Sequence, residues 1–151
     1  MEFGNEMQKN VYAMLLSWFN TDIQNGAIHS APGSPLFFTQ RGTTVVHVMV
    51  NPMGENEAVI TVGARVVTGA KITPELMLFL LAHNSSSLFG AFGIDPESGI
   101  ISFDHSIIGS TCDMKELSTS ITAVATTADE LDDVIIGKFG GKSALAMATA
   151  Q

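Results

Sequence analysis

Cysteine is almost missing from this 151-residue chain: Cys112 stands alone. That excludes an internal disulfide and any cysteine-based metal cluster. An unpaired thiol suits a reducing compartment, so a cytoplasmic setting is expected. Basic residues are scarce too. Seven Lys and Arg stand against fifteen Asp and Glu, a formal net charge of −8. That field repels a phosphate backbone and no basic patch offsets it, so nucleic acid is not an expected partner. Residues 1–10 carry Glu2, Glu6 and one lysine without an apolar run, which predicts no signal peptide. Long apolar runs are missing as well. Residues 76–82 are uniformly apolar but end at His83, Asn84 and a serine run, too short for a membrane span.

Charge of either sign is thin, 15% of residues, where about 25% is usual. The shortage is local. Between His29 and Gly54 the only formal charge is Arg41, and residues 76–94 have none. Such stretches are expected to be buried in a core, against a partner, or both. A chain of this length buries roughly 68–70% of its unfolded surface, enough for one core without disulfides or metal.

What is present orders into elements. Apolar residues from Met7 to Ile23, including Val11, Leu15 and Trp18, fall at helical spacing and predict one helix over residues 7–23. Residues 36–40, 43–50 and 58–67 predict a three-stranded antiparallel meander, with the Asn51-Pro52-Met53-Gly54 turn inside it. Thr73-Pro74-Glu75 is a helix start, followed by an apolar body over 76–83 and Asn84 as the stop. Residues 87–94 and 99–103 flank Asp95-Pro96-Glu97-Ser98 as a hairpin, and Ile107-Ile108 reads as a strand stub. Asp113 with Glu116 opens the last helix, whose apolar stripe runs Leu117, Ile121, Val124, Ala128, Leu131, Ile135 to a stop at Gly137. The order α-β-β-β-α-β-β-α predicts a single α+β domain over residues 1–141, with a flexible tail over 142–151.

The runs LMLFLLAHNSSSLFGAFGIDPESGIISFDHSIIG and KELSTSITAVATTADELDDVIIGKFGG carry a combination of Asn84, Phe89, Gly90, Phe92, Asp95, Gly99, Leu117, Ala128, Asp129, Leu131 and Phe139. In this the chain resembles the type III secretion chaperone-like family and its YbjN-like relatives, over residues 76–141; residues 7–67 match only in element order. The resemblance implies small acidic dimers that hold extended segments of partner proteins without ATP. It also implies pairing largely through the second helix.

Motifs that suggest chemistry fail on spacing. Gly140-Gly141-Lys142-Ser143 lacks the glycine a phosphate loop needs at the position of Ile136, and it follows a helix. His29, His47, His83 and His105 are scattered, so a His–Cys112 nucleophile or a metal site would need tertiary coincidence. Asp104 and His105 are strand neighbours that point to opposite faces. Asp129, Glu130, Asp132 and Asp133 are expected to form a solvated helix face, since their spacing is not that of a calcium loop.

The leading expectation is therefore a non-enzymatic module that binds a partner protein or peptide, with no cofactor, metal or membrane. Strand addition at a sheet edge and side-chain docking beside the first helix are both available to it. Its expected contact residues are Trp18, Phe38, Val46, Val48 and Met49, with Met49, Met53 and Met77 suited to varied partners. A homodimer is expected on the second helix through Met77, Leu80 and Leu81, because a helix apolar all round has no face for water. A small-molecule binder or small enzyme using the same cavity, joining His47, Arg65 or Arg41 to a carboxylate and Cys112, is the alternative. A purely structural dimerisation domain is the third. Because no metal enters the fold, a chelator is expected to leave the melting temperature unchanged; a large drop in a thermal scan would refute the metal-free fold.

Overall fold

Asn5 starts the fold. Its side-chain oxygen accepts the Gln8 amide at 2.7 Å and its side-chain nitrogen donates to the carbonyls of Gly54 and Glu57 at 3.0 and 2.8 Å. The same residue thus caps helix α1 (Glu6–Trp18) and ties it to the turn at residues 54–56. Gln8 repeats the device in the core: it is buried, donates to the Val50 carbonyl at 2.7 Å and accepts the Gly4 amide at 2.7 Å.

The computed structural model describes residues 1–144. After α1 come α2 (Asn20–Gln24), β1 (Ile28–Ser30), β2 (Leu36–Arg41), β3 (Thr44–Met53), β4 (Glu57–Thr68), α3 (Pro74–Ser86), β5 (Ala91–Ile94), β6 (Ile101–Ile108), α4 (Met114–Phe139) and β7 (Lys142–Ser143). The strands form one seven-stranded antiparallel sheet in the order β1-β2-β3-β4-β6-β5, with β7 pairing onto β4.

Registers sort the side chains into two faces. Phe37, Val48, Val62 and His105 lie in one cross-strand row, and Thr39, Val46, Ala64, Phe103 and Phe92 in the next. This face is the core. Helix α1 covers it through Val11 and Leu15, and Phe19 sets its ring edge-on to Phe37 at 5.2 Å. Helix α4 covers the rest through Leu117, Ile121, Val124, Ala128 and Ile135, with the Ser120 hydroxyl 2.9 Å from His105 Nδ1. The predicted α+β architecture, an antiparallel sheet packed with helices, is the one observed.

Several boundaries differ from the sequence expectation. The single helix over 7–23 is broken at Phe19, which turns inward onto Phe37, and Trp18 is only half-buried. β1 was not foreseen; its three residues are too few to carry a period. Ile107-Ile108 is the end of β6 and not a separate stub. Helix α4 runs through Gly137 to Phe139 and stops at Gly140, whose φ of 76° suits glycine. Lys142 and Ser143 pair with Thr68 and Val67, so order extends past the expected tail boundary. The remainder of that tail, 145–151, lies outside the described residues.

Phe37 is buried with the Tyr12 ring stacked on it at 5.2 Å and the Phe19 ring on its edge. Phe37→Ala is expected to cost about 3–5 kcal/mol in urea unfolding; a loss below about 1 kcal/mol would show that α1 does not anchor there.

Candidate binding face and cleft

Among the described residues no helix lies over the second sheet face. His29, Phe38, His47, Gly63, Asp104 and Ala91 form one row across it, and Leu36, Met49, Thr61 and Ser106 another. Phe38, Leu36, Val45 and Met49 are half-buried with no covering element among the described residues, an apolar strip along β2 and β3. Beside it stands a polar group. His47 Nε2 lies 3.9 Å from Asp104 Oδ1, and the Ser102 hydroxyl donates to the other Asp104 oxygen at 2.6 Å. Gly63 sits between them in the register, and a Cβ there would overlap both the carboxylate and the imidazole, so glycine makes the room. Burial lowers the His47 pKa; Asp104 opposes that shift and Arg65 adds to it.

This group does not form a nucleophile. The Ser102 hydroxyl is spent on Asp104, and among the described residues no hydroxyl or thiol is hydrogen-bonded to His47. Cys112 is buried and its thiol is pushed up to about 11, chiefly by burial, which makes it inert. Asp104 and His105 do point to opposite faces: Asp104 pairs with His47, and His105 turns inward to Ser120.

One end of the open face deepens into a cleft of about 560 Å³. Its cause is a fork in the sheet. β3 pairs with β4 up to Val46–Ala64 and β7 pairs with β4 from Val67–Ser143, while the Ala144 amide donates to the Val66 carbonyl at 3.2 Å. The tip of the β2–β3 hairpin therefore leaves β4 and is held instead by α4, where Asp129 accepts both the Thr43 amide and the Thr43 hydroxyl. Leu36, Phe38, Val45 and Met49 line one side of the gap, and Ala128, Asp132 and Ser143 the other.

The predicted contact residues are split by this geometry. Phe38 and Met49 lie on the open face beside the cleft. Val46 and Val48 are corrected out of the candidate surface: strand alternation turns them under α1 and α4, where both are fully enclosed. Trp18 lies on the helix layer, away from Phe38 and Met49. Val45 and His47 were the outward residues of β3. In the second helix, Leu80 is 4% exposed and belongs to the core, while Leu78 at 69% and Leu81 at 64% face outward with Met77. The acidic run is also corrected. Asp132 lies on the buried stripe of α4, four residues after Ala128, and Asp129 is engaged with Thr43.

The two sheet edges are unequal. The Asn84 side chain accepts the Phe92 amide at 2.7 Å and donates to the Phe92 carbonyl at 3.1 Å, filling the β5 edge as a strand would. β1, at the other edge, carries exposed His29 and Ser30.

Residues 36–147 match the sequence profile of the T3SS (YopN, CesT) and YbjN peptide-binding chaperones, family 1. The chain belongs to this family. The match takes in the β2–β3–β4 meander as well as the second half, so it reaches beyond residues 76–141. Solved structures agree on the fold of this chaperone-family chain. A chain of the HopA1–SchA chaperone–effector complex is similar over 84% of this chain and 97% of its own, at 12% identity and a TM-score of 0.64. A chain of the ExsC–ExsE complex is similar over 85% and 96%, at 14% identity and 0.63. YbjN from E. coli is similar over 81% and 91%, at 14% identity and 0.50. No curated protein matches the chain by sequence. Among the described residues no helix is long and apolar enough to cross a membrane.

Asp104, 3.9 Å from the His47 ring, favours its charged form against burial and Arg65. Asp104→Asn is therefore expected to move the His47 titration to lower pH in an NMR pH series; an unchanged midpoint would show that the pair is not felt.

Proposed function

We propose that this chaperone-family protein is a non-catalytic homodimer that holds an extended segment of a partner protein on its open sheet face, in the cytoplasm and without a cofactor. The observation that carries the reading is the uncovered apolar strip of Leu36, Phe38, Val45 and Met49, on a sheet whose helices all pack elsewhere. A segment lying along that strip gains burial of apolar side chains, each worth about 1.5–3 kcal/mol when complete. Strand addition is compatible with the β1 edge, whereas Asn84 fills the β5 edge. The likeness to chains from a chaperone–effector complex supports the same use of the fold.

The dimer reading rests on α3. Met77, Leu78 and Leu81 share its outward side, and Leu88 beyond its end is 90% exposed. Residues 76–94 bring no charge to that side. A contiguous patch of this kind marks an interface, and a twofold partner would cover it with its own copy.

Two measurements test the parts separately. Light scattering is expected to return twice the monomer mass, and the double variant Leu78→Asp, Leu81→Asp to return folded monomer; a monomeric wild-type chain refutes the dimer. Pull-down from a cytoplasmic extract, with proteolysis of what is retained, is expected to yield short protected segments. Phe38→Asp, folded by circular dichroism, is expected to retain at least tenfold less, in line with an apolar side chain replaced by a charge at a contact. Equal retention by Phe38→Asp refutes the open face as the site.

A further inference from the structure

Asp132 is a carboxylate in an apolar place. It occupies a core position on α4 between Ala128 and Ile135, is 7% exposed, and lines the cleft at the sheet fork. Its hydrogen-bond partner is the uncharged Asp133 amide at 2.7 Å, and Ser143 lines the cleft with it. Among the described residues no Lys, Arg or His lies within ion-pair distance of it. Arg65 lines the same cleft but makes no ion pair with Asp132. Residues 145–151 contain no Lys, Arg or His, so that stretch of sequence offers no cation either. Burial raises the Asp132 pKa, and Asp133 and Asp129 push it the same way. A buried carboxylate normally has a cationic partner, because leaving it alone costs the fold stability. Among the described residues none is paired with Asp132.

We propose that the cleft receives a cationic side chain, a lysine or arginine of the bound segment, whose charge pairs with Asp132 while its aliphatic stem lies against Phe38, Val45 and Ala128. The inference rests on the reading that a partner segment crosses the open face, and it names that segment's chemistry: apolar residues for the strip and a basic residue for the fork. Three features agree on the sign of the ligand. The cleft is roomy enough for a side chain of that length, its inner charged group is anionic, and the whole chain carries −8, which draws basic segments toward it. Lysine and arginine suit the shape too, since their stems are apolar and their heads charged.

The test uses the full chain and two small probes, n-butylammonium and its neutral counterpart n-butanol, followed by amide NMR. Butylammonium is expected to give saturating shifts at Val45, Ala128, Asp132 and Ser143, with at least tenfold weaker binding of butanol. Asp132→Asn keeps an acceptor oxygen and the shape; it is expected to abolish the preference, so that both probes bind alike. The same variant is expected to melt higher than wild type at pH 7. The sign follows from linkage. A carboxyl whose pKa is raised in the fold adds stability only when protonated, and that is lost as pH rises through the folded pKa, so removing the ionised group helps at neutral pH and not below the ordinary aspartate range. Equal binding of the two probes by wild type, a preference that survives in Asp132→Asn, or a lower melting temperature for that variant would each overturn the proposal. The probe assay contains no partner segment. A working cation site without any captured segment would therefore refute the chaperone reading alone, and captured segments with no probe preference would refute the cation site alone.

Discussion

Strand β4 is the constraint on which the rest of the structure depends. It pairs with β3 along one edge and β6 along the other, and its far end takes β7 as well. Its core-facing residues Ala58, Ile60, Val62 and Ala64 are completely enclosed. A strand with both ladders filled and one face sealed has only one direction left in which to meet anything. Because α1 and α4 pack on the same side, the opposite face of the whole sheet is left to solvent or to a partner. In an antiparallel sheet such a face is ordinarily polar. Here it carries phenylalanine, leucine, valine and methionine on β2 and β3, and the departure from the ordinary pattern is what gives the face a use.

The cleft follows from the same strand. β3 and β7 approach the same edge of β4 from opposite ends, and by register Thr44 and Ala144 would both fall opposite Val66. Only one can. Ala144 takes the Val66 carbonyl, and the hairpin tip finds its partner in Asp129 of α4. A gap between two strands competing for one position is set by backbone pairing, so it persists without a ligand. The carboxylate at its inner side is then a fixed feature of the fold and not a side chain waiting to swing in.

How much of this the sequence shows depends on whether the signal is local. The caps of α3 and α4 are legible: Thr73 accepts the Leu76 amide at 3.2 Å and Asp113 the Glu116 amide at 2.7 Å, as their spacing predicts. The meander is legible from β-branched runs and turn residues. The face of β3 is not, because residues 44–50 are apolar on both sides and alternation alone cannot say which side meets the helices. Val46 and Val48 stand among the expected contact residues beside Met49 of the opposite face for that reason. The outward side of α3 is hidden in the same way: a helix apolar all round has no period by which to separate Leu80 from Leu78. Asp132 differs. Its place on the buried stripe was countable from Ala128 and Ile135, and it was obscured only by the acidic neighbours that surround it in sequence.

The arrangement also separates the two proposed associations. The β5 side is closed to strands by Asn84, whose amide occupies the Phe92 backbone, and beyond it α3 presents side chains only. In the proposed dimer, contact there is made by packing Met77, Leu78 and Leu81, exposed side chains that suit a rigid, self-complementary copy. The strip of Leu36, Phe38, Val45 and Met49 lies several strands away, near an edge that still offers backbone, and suits an extended chain. A segment held there need not disturb the α3 contact, so a dimer can present two such faces at once. Linked faces of that kind hold a long segment more tightly than either alone, provided the segment spans both.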